Sequence, residues 1–116
     1  MGERSLELIK GTLDVLILKT LSWGAMHGYA VSRWIRQRTD EVFQIEEGAL
    51  YPALRRLEKR GWIRGSWGVT ETNREAKFYE LTGAGRDALQ AEVRDWGRYV
   101  EAMGRVLYGP RPAEGA

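Results

Sequence analysis

The chain has 116 residues, enough for one compact domain and one extra element, because a second core would leave each unit at the margin of independent stability. Hydrophobic residues make up 43% and charged residues 29%, the profile of a folded domain rather than of a disordered chain. Cysteine is absent, which excludes disulfides, thiolate zinc sites and cysteine nucleophiles, and a formal charge of +2 is too small to point to nucleic acid unless the positive groups cluster.

The longest apolar run, residues 15–18, is far shorter than a bilayer span, and the amino terminus lacks the basic, apolar, small-residue order of a signal peptide. A cytoplasmic protein with no membrane partner is expected.

Residues 11–21 are rich in helix formers, with Leu13, Leu16, Ile17 and Leu21 on one side and Val15 and Leu18 on the other. The pattern predicts a central helix buried on two faces, ended by Gly24 as a left-handed cap. A second helix is expected over 27–38, with Val31, Trp34 and Ile35 inward and Arg33, Arg36 and Arg38 outward, followed by a turn at Thr39, Asp40 and Glu41. A third begins near Glu46 or Glu47, acids suited to the positive end of a helix dipole, and stops at Gly61 after Lys59 and Arg60.

From 62 to 82 the period becomes strand-like. The runs 62–69 and 76–82 are aromatic and β-branched, and the polar segment 70–75 reads as the tip of a hairpin. Helix, helix, helix, hairpin is the outline of a winged helix, in which the second and third helices form a helix-turn-helix.

A last long helix starts after Thr82, an N-cap residue type. Its apolar positions Leu89, Val93, Trp96, Val100, Met103 and Leu107 follow a heptad spacing, a stripe that needs a partner. The fold class expected is mainly α with a small β-hairpin: a winged helix-turn-helix domain over 6–82, a C-terminal dimerisation helix over 83–108 and a disordered tail over 109–116.

The third helix divides into two faces. Leu50, Ala53, Leu54 and Leu57 point inward, while Gly48, Tyr51, Pro52, Arg55 and Lys59 share the opposite side, flanked by Arg56 and Glu58. That cationic, aromatic face suits a DNA groove: arginine grips guanine or phosphate, tyrosine reaches a phosphate or a thymine methyl, and glycine admits close backbone approach. A solvated helix face whose cations pair with Glu58 fits the composition as well. An interior proline costs about 3 kcal/mol, less in the first turn, so Pro52 either shapes the groove-facing turn or fixes where the helix starts. At the hairpin, Asn73, Arg74 and Lys77 can hold a phosphate backbone or reach a minor groove, although Glu71 and Glu75 oppose this and hairpin tips are polar in any case.

Enzyme chemistry finds no support. No carboxylate pair or phosphate-cradling glycine loop occurs at useful spacing, and the lone His27 sits in a helix-start motif where a structural role is the simpler one. No cofactor or metal is expected.

Over Leu8 to Leu89 the sequence resembles the PadR family of transcriptional regulators, in particular its small members with a single C-terminal helix. The matching segments are 11–18, 27–30 (His-Gly-Tyr-Ala) and the block 46–61 containing Tyr51, Pro52 and Arg55. On the wing they are Trp67 and Gly68, Asn73 and Arg74, 76–79, and Leu81 and Thr82. The resemblance implies a dimeric repressor on double-stranded DNA, with the third helix in the major groove and the wing on the flanking backbone. Tyr29, Tyr51, Arg55, Asn73, Arg74 and Lys77 match positions of the family's DNA-facing surface. The last helix would pair with its partner's helices, and Gly97 and Gly104 beside the stripe would admit close approach of the partner backbone. A twofold dimer sets two recognition helices about 34 Å apart and implies an inverted-repeat operator. Some relatives carry a tryptophan matching Trp96 that stacks planar ligands at the dimer interface, so a small aromatic effector that releases DNA is one reading of Trp96 and plain packing the other. A winged-helix module that binds protein through Tyr51 or the last helix is the alternative to a DNA regulator.

Overall fold

The computed structural model describes residue 8 and residues 11–113. The expected domain start at residues 6 and 7 and the tail residues 114–116 lie outside the described residues. In chain order the elements are α1 (Thr12–Leu21), β1 (Met26–His27), α2 (Gly28–Arg38), α3 (Glu47–Lys59), β2 (Ile63–Val69), β3 (Glu75–Leu81) and α4 (Gly83–Leu107). This is the mainly α, small-β architecture that the hydrophobic periods imply.

Three helices and the base of the hairpin share one core. Ile17, Leu18 and Leu21 of α1, Val31 and Ile35 of α2, and Leu50, Ala53, Leu54 and Leu57 of α3 are buried together with Ile63, Tyr79 and Leu81 of the sheet. All four apolar positions assigned to the inner face of α3 are there, at the 3.6-residue period that puts them on one stripe. Between α2 and α3, Asp40 and Glu41 take positive φ angles of 49° and 66°. The turn is held by the Glu41 amide donating to the Arg36 carbonyl at 2.8 Å and by Phe43 and Ile45 packing on the core.

Three local features differ from the sequence reading. α1 is capped at Ser22, whose N–H donates to the Leu18 and Lys19 carbonyls; Gly24 lies two residues further on, with φ of 145°. Pro52 is in the second turn of α3 rather than the first. It therefore withholds a hydrogen bond from the Gly48 carbonyl one turn back, and Gly48, with no Cβ, leaves that turn uncrowded. The hairpin also gains a third strand: β1 pairs with β3 at Met26↔Tyr79 and His27↔Phe78, giving the antiparallel order β1-β3-β2. Two residues are too short to show any alternation, so this strand left no trace in the sequence pattern.

Thr82 is the N-cap of α4. Its Oγ1 accepts from the Gly85 amide at 3.0 Å and donates to the Gly61 carbonyl at 2.6 Å, tying the end of α3 to the start of α4. Gly85 is buried there, packed so closely on the Trp62 carbonyl that a Cβ would collide with it. Past Ala88 and Leu89, which pack on the core, α4 runs on with no covering element among the described residues. The radius of gyration is accordingly 17.4 Å, against about 13 Å for a compact domain of similar length. Residues 109–113 form neither helix nor strand. Among the described residues no helix is long and apolar enough to cross a membrane.

Candidate nucleic-acid interface

With its apolar stripe in the core, α3 turns Gly48, Tyr51, Arg55 and Lys59 outward, and Pro52 is half-buried between the two faces. Tyr51, 37% exposed, is not a free side chain. Its ring lies over Gly28, where a Cβ would come within 2.9 Å of Tyr51 Cε1 and 3.2 Å of its hydroxyl. The glycine that opens α2 is thus the seat that fixes the outward tyrosine of α3, a link between two of the sequence blocks that neither block reveals alone.

The cations of α3 divide into two sets. Arg56 Nη2 lies 2.8 Å and Arg60 Nη1 3.7 Å from the carboxylate of Asp14 on α1, so these arginines brace α3 against α1. Arg55 and Lys59 make no ion pair among the described residues and remain on the outer face. The alternative in which Glu58 neutralises its helix neighbours does not hold: Glu58 Oε1 accepts from Lys77 Nζ of β3 at 3.0 Å.

At the start of α2, His27 is the N-cap, its Nδ1 accepting from the Ala30 amide at 3.3 Å, and it meets Phe78 edge-on at 5.4 Å. This is a structural role, as the helix-start motif implies. Tyr29 is 58% exposed, stacked parallel to His27 at 6.5 Å and under the Arg33 guanidinium at 5.7 Å. At the wing tip the Thr70 amide donates to the Arg74 carbonyl at 2.8 Å, and Asn73 adopts a left-handed φ of 62°, a conformation that asparagine tolerates better than most side chains. Asn73 and Arg74 are exposed there. Lys77 is placed differently, since its ammonium is turned back onto α3 and lies 5.5 Å from the Tyr79 ring centre. Hydrogen bonding to Glu58 raises its pKa above the ordinary lysine value, against the opposing pull of desolvation. Burial does the same to the Tyr79 phenol, partly offset by Lys77.

The α2 start, α3 and the inner face of the wing enclose an open groove of about 830 Å³, lined by Tyr29, Arg33, Tyr51, Trp67, Arg74, Lys77 and Tyr79 among others. Trp67 and Arg33 were not among the site residues expected from sequence. Trp67, 71% exposed, stands opposite Lys77 in the β2–β3 register, so the alternation of β2 puts it on the groove side. The available signal was that Ile63, two turns of the pleat away on the same face, is apolar and core-directed. The aromatic walls of this open cleft, with Arg33 and Arg74 on its lining, suit a nucleic-acid backbone and base edges, while Glu71 and Glu75 on the same lining oppose an anion. Among the described residues no group of three or more His, Asp or Glu side chains is placed to hold a metal ion.

On α4 the expected stripe separates into two parts. Leu89 packs on its own core, whereas Val93, Trp96, Val100, Met103 and Leu107 are exposed. Trp96 stacks on Tyr99 with ring centres 5.6 Å apart and planes 16° from parallel.

Comparison with known proteins agrees with this geometry. The model of the transcriptional regulator PadR-like family matches residues 17–91. The chain is similar to an uncharacterized protein X of Lysinibacillus sphaericus, 32% identical over 103 residues that cover 89% of this chain and 94% of the relative. It is also similar to the negative transcriptional regulator PadR of Bacillus subtilis, 27% identical over 72% of this chain and 44% of that protein. Among solved structures, a transcriptional regulator from Clostridium thermocellum superposes with a TM-score of 0.79 at 33% identity, covering 85% of this chain and 96% of the other. A PadR family transcription regulator from Clostridium difficile gives 0.73 at 28% identity, covering 84% and 99%. The chain therefore belongs to the PadR-like family, whose members are DNA-binding regulators of transcription and not enzymes.

Proposed function

We propose that the protein is a homodimeric, sequence-specific repressor that reads an inverted-repeat operator with α3 and grips the flanking backbone with the wing. The observation that supports this most directly is the outward set of Tyr51, Arg55 and Lys59, of which Tyr51 lines the aromatic groove, while Leu50, Ala53, Leu54 and Leu57 on the other side of α3 are buried in the core. Tyr29, Asn73 and Arg74 extend the same surface, and the half-buried Pro52 shapes its second turn.

The dimer reading is supported by the apolar stripe on α4. Burying a side chain of the size of Val, Met or Leu contributes about 1.5–3 kcal/mol, and the described residues leave Val93, Trp96, Val100, Met103 and Leu107 exposed. Among the described residues, nothing beyond the helix's own backbone and the adjoining residues lies within 4 Å of where a Cβ of Gly97 would stand, and Gly104 would meet only the Tyr108 ring at 3.8 Å. Neither glycine is demanded by its own fold, which leaves room for a partner helix. The stacked Trp96 and Tyr99 offer a flat aromatic surface beside that stripe, and a planar aromatic effector that binds there would alter the separation of the two recognition helices.

The test is operator selection followed by binding titrations at increasing salt. A dimer that neutralises several phosphates loses affinity by orders of magnitude between 50 and 200 mM salt, and Tyr51→Ala abolishes operator binding while sedimentation still shows a dimer. A dimer that retains no salt-dependent DNA affinity would instead point to a protein-binding module. For the effector, a variant with Trp96 as its sole tryptophan should change fluorescence on addition of flat aromatic compounds, and an unresponsive signal rejects that part of the reading.

A further inference from the structure

Lys77 matches a position of the family's DNA-facing surface, yet its ammonium is committed elsewhere. Its Nζ donates to Glu58 Oε1 on α3 at 3.0 Å, and both side chains are only about one third exposed, at 34% and 33%. The stem crosses β2 at Gly65, where a Cβ would collide with Lys77 Cε and come within 3.1 Å of Glu58 Oε2. Glu58, Gly65 and Lys77 therefore fit together as a unit on three separate elements.

The hairpin needs such a unit. Its base is fixed by the buried Ile63, Tyr79 and Leu81, but beyond them the arms project outward. Among the described residues the Lys77–Glu58 contact is the one hydrogen bond or ion pair that joins hairpin residues 65–77 to a helix. A two-stranded ribbon alone is marginally stable and strongly twisted, so the angle between its tip and α3 is set where it is tied.

We propose that Glu58 and Lys77 form a strut across Gly65 that fixes the wing at the angle to α3 that lets both engage one duplex, making Lys77 a positioning residue for DNA binding rather than a phosphate ligand. This rests on the DNA-binding reading above. It also reverses the sign expected of one substitution. If Lys77 held phosphate, removing the negative charge of Glu58 would free the lysine and tighten binding; if the pair is a strut, the same change loosens the wing and weakens binding.

The experiment compares the full chain with Glu58→Gln, Lys77→Met and the double variant, by fluorescence anisotropy on the selected operator over a salt series and by hydrogen exchange of the hairpin amides without DNA. The strut predicts that each single variant weakens binding by about fivefold, the size of a partly exposed ion pair. The double variant should be no weaker than either single one, with the wild-type salt slope retained in all three. Hairpin amides at residues 66–77 should exchange faster in each variant. A Lys77→Met protein whose salt slope falls by about one phosphate contact, together with a Glu58→Gln protein that binds as tightly as wild type or more so, overturns the proposal. Unchanged hairpin exchange in both single variants overturns it as well. Failure of the wild-type dimer to bind any DNA would reject the DNA reading, and the exchange data would still decide whether the strut exists.

Discussion

The helix-turn-helix body and α4 answer the same physical demand in opposite ways. In the body the inner stripes of α1, α2 and α3 find their cover within the chain: Ile17 and Leu18 of α1 and Leu54 and Leu57 of α3 lie inside one buried cluster, and charged ends are tied by Asp14 and Glu58. In α4 only the first turns do so, and from Val93 onward the same kind of stripe faces water. The first region is a self-sufficient fold. The second leaves an apolar stripe exposed, the kind of surface that marks an interaction site, and in the dimer proposed above it is half of the interface.

The contrast can be broken at either side, and the largest effect belongs to the body. Leu54→Ala removes a fully buried side chain and should cost about 2–5 kcal/mol of unfolding free energy in denaturant titrations. On α4, Val100→Glu should leave the circular dichroism and core stability of the body nearly unchanged while shifting sedimentation to the monomer. Each twofold interface would then bury two new carboxylates, a loss of about 3 kcal/mol or more in association. A Val100→Glu protein that still dimerises would place the interface elsewhere.

Smaller effects sharpen the division inside the body. Asp14→Asn releases Arg56 and Arg60, and should cost about 1–2 kcal/mol of stability, since Asp14 is the more sheltered partner at 14% exposure. Gly28→Ala should lower operator affinity with little loss of stability, because it displaces the Tyr51 ring from its seat; chemical shifts of that ring would report the movement. The smallest effect is in pH. Lys77 has a raised pKa in the fold, so its contribution is fully present below the unfolded lysine value of about 10.4 and is lost only as pH rises through the higher folded value. After correction for intrinsic exchange rates, hairpin protection should therefore be constant between about pH 7 and 9 and fall in more alkaline solution.

Much of the fold was legible in the residues. The inward set of α3, the Thr82 cap and the exposed run of α4 follow from periods of 3.6 and 3.5 and from a side-chain oxygen at a helix start, all of which are local. The outward placement of Tyr51, Arg55 and Lys59 on α3 was readable for the same reason. The two-residue strand β1 was not, and neither was Trp67 as a groove residue: alternation with Ile63 gives its face, but only the packing of the hairpin beside α2 and α3 makes that face a groove wall.

What the sequence determined by itself was which faces are apolar and where helices start and stop, since these depend on neighbours within a turn or two of chain. Only the tertiary structure decided which cations are tied up in ion pairs: Arg56 is bound to Asp14, 42 residues away, and Lys77 to Glu58, 19 residues away. A charge is neutralised by whatever lies within about 4 Å of it in space, and distance along the chain carries no record of that.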